Sequence, residues 1–415
     1  MVTGISPQQT VADGYTEAEF AKILHDDICS EDTVMVGFNN IRFDDEFIRA
    51  LFWRNFYDPY EWCWRDGRSR WDMLDVVRMT RALRPGGIEW PVDAQGKATN
   101  RLELLTKLNG VNHFKAHDAL SDVEATIAVA KLIKDKQPQL YSYLLKLRDK
   151  REVGKLVNLD EKAPFVYTSG SYDAEHEKTT AAFPLTKGRN NNVVVYDLRI
   201  DPAPYIHMDQ KQLATILFAS WEEQRADGFQ RLPVKELQYN RAPAVAPLGV
   251  LEQGEGWQRI HLTPDGIERH KAALLSAPQF AENIRSLFES RPEFKKSADP
   301  EAQLYDGFVD GKDKISIEAV RNATASKLAD LHPEFNDDRL PPLLLRYKAR
   351  NFPNSMSASE ANAWEEWRAE RLHKQLPGFM KSLQRLGAES ETPETQQFLL
   401  EELKLWAESI VPDSE

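Results

Sequence analysis

Between about Lys155 and Val250 the sequence changes period, and this change limits the fold more than any other feature. Short β-rich runs such as "FVYTSG" and "NVVVYDL" are separated by turn clusters, "GRNNN" and the proline-rich "RAPAVAPLG". One helical stretch, "KQLATILFASW", interrupts them. The flanking regions carry helical spacing, so no single layer architecture covers the chain. Its 415 residues also exceed one ordinary core, and two or three domains are expected.

The first block mixes helix and strand. Ser6 can cap a helix with Pro7 at its first position and Gln9 at the capping-box position, and apolar residues recur through Phe20, Ile23 and Leu24. "TVMVGF" (Thr33 to Phe38) reads as a buried strand ended by Asn39 and Asn40. A helix follows, with Phe47, Ile48, Leu51 and Phe52 on one face. "WDMLDVVRMTRAL", "RLELLTKLNG" (closed by Gly110) and "DVEATIAVAKLIK" predict three more helices. Past Pro264 helices dominate, with "LPPLLLRYKARNFP" as an interruption and a frayed acidic end at "PDSE". The expected domains are 1–138, 139–290 and 295–415, each with its own core.

Composition excludes several classes. No apolar run reaches membrane-spanning length, and "MVTGISPQQT" lacks the regions of a signal peptide. Two cysteines, Cys29 and Cys63, make neither a disulfide framework nor a zinc pattern, which fits a reducing cytoplasm. A net charge of −12 argues against a generally basic coat, so a nucleic-acid surface would have to be local.

Two stretches carry chemistry. Asp44 follows the predicted strand and opens a helix, at the carboxyl edge where open α/β folds place ligands. Asp122 opens another helix, five residues after His117. The plainer reading makes Asp44 or Asp45 a helix cap, Asp122 likewise, and His117 a structural or surface histidine. Taken together, two carboxylates and an imidazole suit a magnesium or manganese site with a neighbouring base that activates water.

At this point "NIRFD" resembles the second motif of DEDD exonucleases, and "HDALSD" the third motif in its histidine form. "NNIRFDDE", "RNFYDPYEW", "SRWDMLDVVR" and "YKARNFP" extend the resemblance to the bacterial exodeoxyribonuclease I family over nearly the whole chain. The resemblance implies an α/β, RNase H-like exonuclease core, then an SH3-like β domain, then a helical C-terminal domain. It further implies 3′-to-5′ degradation of single-stranded DNA by two-metal hydrolysis, in DNA repair and recombination. Asp44 and Asp122 become ligands of Mg2+ (two ions, Mn2+ as a substitute), and His117 becomes the general base. The implied partners are single-stranded DNA and the C-terminal tail of single-strand DNA-binding protein, with the chain acting as a cytoplasmic monomer and no membrane involved.

The sequence departs from the pattern at its first motif. The D-x-E that supplies two further carboxylates belongs upstream of "TGISP", and no internal stretch replaces it: Asp197 is followed by Arg199 where the second acid belongs. The core is therefore expected to be incomplete at its N-terminus, and the chain as written to lack activity. A non-cleaving protein that binds DNA and partner is the alternative reading.

Eight aromatics lie between Phe52 and Trp71, interleaved with arginines. Aromatic faces stack on bases and arginine clamps phosphates, so Trp64 and Arg70 are candidate DNA contacts, against a plainer reading as core. The resemblance adds Arg101 as a phosphate contact, and Arg84 and Tyr143 as a receptor for the partner's carboxylate-ended tail.

Overall fold

The computed structural model describes residues 3–111, 119–291, 296–388 and 394–411. In chain order the elements are α1 (Pro7–Asp13), α2 (Glu17–Ile23), β1 (Val34–Gly37), α3 (Asp44–Arg54), β2 (Ser69–Asp72), α4 (Met73–Leu83), α5 (Leu102–Leu108), α6 (Ala119–Lys136), α7 (Pro138–Lys146) and α8 (Lys150–Leu156). Then come β3 (Phe165–Thr168), β4 (Thr179–Lys187), β5 (Val193–Asp197), α9 (Gln210–Leu217), β6 (Val234–Leu237) and β7 (Ala244–Pro247). The remainder is helical: α10 (Gly256–Arg259), α11 (Pro264–Leu275), α12 (Pro278–Glu289), α13 (Gly311–Asn322), α14 (Ala325–Asp330), α15 (Leu340–Asn351), α16 (Ala358–Gly387) and α17 (Glu394–Ser409). No helix among the described residues is long and apolar enough to cross a membrane.

The chain forms two compact units. One comprises Met1–Thr33, Asp44–Arg68 and Lys295–Glu415, the other Val34–Phe43 and Ser69–Phe294. In the first, Trp53 and Phe56 of the α3 region share a core with Val320, Leu328, Leu340, Leu343 and Tyr347. The helical C-terminal stretch thus has no separate core among the described residues; it completes one with residues from the N-terminal block.

In the second unit β1 pairs in parallel with β2, Val34 opposite Ser69 and Gly37 opposite Asp72. The five later strands form an antiparallel sheet in the order β6-β5-β4-β3-β7. One continuous core joins Val76, Val77 and Leu83 of α4 and Val129 of α6 to Phe165 and Val166 of β3 and Val245 of β7. The opposite side of the sheet, with Phe183 and Tyr196, packs on Phe280 and Ile284 of α12.

Several expected elements change. The first predicted helix is two, because Thr16 caps a new start and forms a reciprocal capping box with Glu19. "TVMVGF" is a strand but not a fully buried one, since Val36 is half exposed. "WD" of "WDMLDVV" belongs to β2, and Asp72 caps α4 through the Leu74 N–H. "RAPAVAPLG" is not a turn cluster: Ala244–Pro247 is β7, an outer strand, where a proline costs no interior ladder bond. "LPPLLLRYKARN" is not an interruption but α15; its prolines occupy the first turn, where their missing N–H groups have no helical partner anyway.

Candidate functional site

Within the second unit the carboxyl ends of β1 and β2 are tied together by one side chain. Asp72 accepts from the backbone N–H of Leu74 at 2.9 Å and of Asn39 at 2.8 Å. It thereby fixes the start of α4 and the loop leaving β1 at once. Asn39 is left-handed at φ 67, and a Cβ on Gly37 would come within 2.6 Å of the Asn40 side chain. The loop therefore turns tightly into the short helical turn Asn40–Arg42 that precedes Asp44 in sequence. Burial pushes the Asp72 carboxyl up to about 6, with Asp75 adding to it and the backbone N–H groups of Leu74, Asn39 and Ile41 opposing it. Asp72 escaped the sequence reading, which ran a helix through it; the signal was an acid between a strand and a helical period.

Asp44 and Asp45, adjacent in the first turn of α3, have opposite environments. Asp45 is buried and has a partner, whereas Asp44 is exposed with no side-chain partner among the described residues. Of the two carboxylates, only that of Asp44 is open to solvent. Asp122 lies in the first turn of α6, half-buried, its carbonyl accepting from Thr126 Oγ1 at 2.8 Å. A carboxylate in a first helical turn is favoured by the helix dipole. His117 lies outside the described residues. Asp44 belongs to the first unit and Asp122 to the second. Among the described residues no group of three or more His, Cys, Asp or Glu side chains is arranged to hold a metal. The described acids therefore offer hard oxygen donors that suit magnesium, but not a full ligand set.

The candidate DNA contacts separate cleanly. Trp64 is 62% exposed, after the short turn Glu61–Cys63, and presents a free aromatic face. Arg101 is exposed immediately before α5. Arg70 is a correction: it is only 6% exposed, and its guanidinium donates to the Asn240 carbonyl at 3.2 Å, so it is a buried structural cation rather than a surface clamp. Of the other aromatics in that stretch, Tyr60 is half-buried and the remaining six are buried. Arg54, Arg65 and Arg68 pair with Glu17, Glu61 and Asp66.

Arg84 follows α4 with its guanidinium on the Leu83 carbonyl at 2.6 Å and Gln253 Oε1 at 2.9 Å. It has no carboxylate partner among the described residues. Tyr143 in α7 is half-buried against the core, and desolvation moves its hydroxyl up to about 12.

Three family models match the chain. Residues 1–130 match the exonuclease model, 148–290 the exonuclease I SH3-like domain and 298–410 the exonuclease I C-terminal domain. Exodeoxyribonuclease I of Escherichia coli K12 is 36% identical over 414 residues, 99% of this chain and 86% of that protein. The crystal structure of E. coli exonuclease I in complex with a dA16 oligonucleotide matches with a TM-score of 0.94 at 36% identity, over 99% of this chain and 88% of that one. An SSB/exonuclease I structure in complex with an inhibitor matches with a TM-score of 0.89 at 35% identity, over 99% and 87%. The fold is an exonuclease core followed by an SH3-like domain and a helical C-terminal domain. This chain belongs to the exonuclease I family.

Proposed function

We propose that the chain is a 3′-to-5′ exonuclease that releases mononucleotides from single-stranded DNA. The observation that carries this reading is the match of 99% of the chain to exonuclease I bound to dA16. Magnesium is the proposed cofactor, with manganese as a substitute, and Asp44 and Asp122 are the carboxylates assigned to it. A divalent ion at a phosphodiester polarises the phosphorus–oxygen bonds and lowers the pKa of bound water. His117 is assigned as the base whose neutral ring nitrogen accepts the proton of the attacking water. Trp64 and Arg101 are assigned to the strand, one stacking on a base and the other pairing with a phosphate.

SSB is the proposed protein partner, supported by the relative solved with it. Arg84 is assigned to the tail's terminal carboxylate, since its guanidinium has only neutral partners among the described residues, and Tyr143 to the apolar residue beside it.

The test uses a 5′-labelled oligonucleotide, single-stranded or annealed to its complement, with magnesium or with EDTA. Stepwise shortening of the single strand only, with magnesium only, is expected. Binding without mononucleotide release would support the non-cleaving alternative instead.

A further inference from the structure

Two histidines from distant parts of the second unit meet ring to ring. His176 ends the short helical turn Ala174–His176 between β3 and β4, and His261 follows α10 ahead of α11. Their Nδ1 atoms lie 3.2 Å apart, with the rings edge to face at 85°. Backbone hydrogen bonds set both positions: the His176 N–H donates to the Asp173 carbonyl at 3.3 Å, and the His261 N–H to the Gln258 carbonyl at 3.1 Å. Arg199 ties the two segments together, donating to the His261 carbonyl at 3.2 Å and to the Thr179 carbonyl at 3.0 Å. His261 is left-handed at φ 52, which histidine adopts more readily than most side chains but at a cost that these contacts must offset.

The contact has two chemical readings. If one ring carries its proton on Nδ1, it donates to the other, and 3.2 Å lies at the long end for such a bond. If both rings carry the proton on Nε2, two lone pairs face each other and a cation belongs between them. A tetrahedral zinc bonded to two imidazoles at about 2.0–2.1 Å holds their nitrogens about 3.3 Å apart, within roughly 0.2 Å of this gap. Burial, then Arg199 and His261, draw the His176 imidazolium below its ordinary value, with Glu175 and Asp173 opposing them. Near neutral pH the His176 ring is therefore neutral, as a metal ligand must be. Asp173 and Glu175 are exposed on the same turn and add negative charge beside the pair, against the positive charge of Arg199.

We propose that His176 and His261 form a two-histidine site for a divalent transition-metal ion of the zinc class, with water in the remaining coordination positions. Imidazole nitrogens suit zinc, copper and nickel, whereas magnesium takes oxygen. The ion is thus chemically distinct from the one assigned to Asp44 and Asp122. His261 is exposed and His176 half-buried, so an ion reaches the pair without opening the core. Both residues lie in the SH3-like stretch 148–290, 85 positions apart, and a bound ion would clip the β3–β4 turn to the segment ahead of α11. The site stands independently of the proposed action on single-stranded DNA.

The test is isothermal titration of zinc chloride into the metal-stripped full chain, with magnesium in excess to fill oxygen-donor sites. His176→Gln and His261→Gln, each alone, are expected to lose the same single zinc equivalent or to weaken it more than tenfold, since even a group behind a ligand is worth roughly 10–100-fold. A second measurement needs no variant: saturating zinc should protect both rings of the wild-type chain from diethyl pyrocarbonate, read by peptide mass spectrometry. A wild type that takes up no more zinc than either variant would overturn the site and leave the pair a hydrogen bond. Loss in one variant only would overturn it as well, because both rings must ligate. Equal modification of the two histidines with and without zinc would do the same.

Discussion

Arg81 Nε lies 2.8 Å from Glu177 Oε2, with both side chains largely buried. The same guanidinium donates to the carbonyls of Pro91 and Thr99, each at 2.8 Å. One side chain on α4 therefore clamps the loop ahead of α5 and the turn ahead of β4. Arg81→Met keeps the length of the side chain but strands a buried carboxylate and two carbonyls. We expect a loss of about 3 kcal/mol, the low end for breaking a buried pair, read from urea denaturation.

Asp72 gives a stability–pH signature. Its folded carboxyl sits at about 6 because it is buried, above its ordinary value of 3.8. The folded state thus holds this proton more tightly than the unfolded chain. The contribution is fully present below the unfolded value and is lost as pH rises through about 6. Asp72→Asn keeps an acceptor for Leu74 and Asn39 without the charge. Its stability relative to wild type should therefore rise by about 1–3 kcal/mol between pH 4 and 7. Asp72→Ala should be less stable than Asp72→Asn at every pH, by about 1 kcal/mol for the lost cap. Parallel curves for Asn and wild type would place the titration elsewhere.

Asp122→Ala and Asp44→Asn should each reduce cleavage of single strands more than about tenfold, a loss above roughly 1.4 kcal/mol of barrier, while leaving oligo-dT binding within about twofold. Affinity comes mainly from phosphate and stacking contacts. A variant that cuts at near wild-type rate removes that carboxylate from the assignment.

His117→Ala should flatten the acid limb of the pH–rate profile, because the group that must be neutral there is gone. A uniform rate loss with the limb intact would make His117 a positioning residue.

Two tryptophans only two residues apart in the sequence should behave in opposite ways. Trp62 is 1% exposed and donates to the Pro59 carbonyl, whereas Trp64 is 62% exposed. Trp62→Ala should cost about 3–5 kcal/mol of stability, as a large core truncation does. Trp64→Ala should leave the melt unchanged and weaken single-strand binding by about 1–3 kcal/mol, the worth of one stacked base.

What the sequence disclosed depended on the range of the physics involved. Local chemistry was legible: Ser6 accepts from the Gln9 N–H as a cap, and Gly110 follows α5 at φ 67. Proline misled twice, at β7 and α15, because its effect depends on whether a missing N–H falls on an outer strand or in a first turn. Arg70 and Arg42 look alike in a sequence; burial separates them, and burial depends on contacts with residues far along the chain. Arg42 and Arg78 meet beside Gly170 and Lys235 bonds the neighbouring Ser169, and no local pattern joins positions so far apart. A motif singled out Asp44 as a candidate, yet its contrast with Asp45 needed the helix to be placed.

The core shared by Trp53, Phe56, Leu340 and Leu344 has a consequence for synthesis. Trp53 donates to the Pro300 carbonyl at 2.8 Å and carries the Arg339 guanidinium on its ring face, so its partners are made long after it. At about 5–20 residues per second, a ribosome needs roughly 15–60 s to pass from Trp53 to Leu340. For that interval an aromatic-rich segment waits without the helices that complete its core, while the strands of the other unit are made. The order of translation therefore sets a window in which this apolar surface is exposed to other chains, and a stalled or shortened message would leave it uncovered.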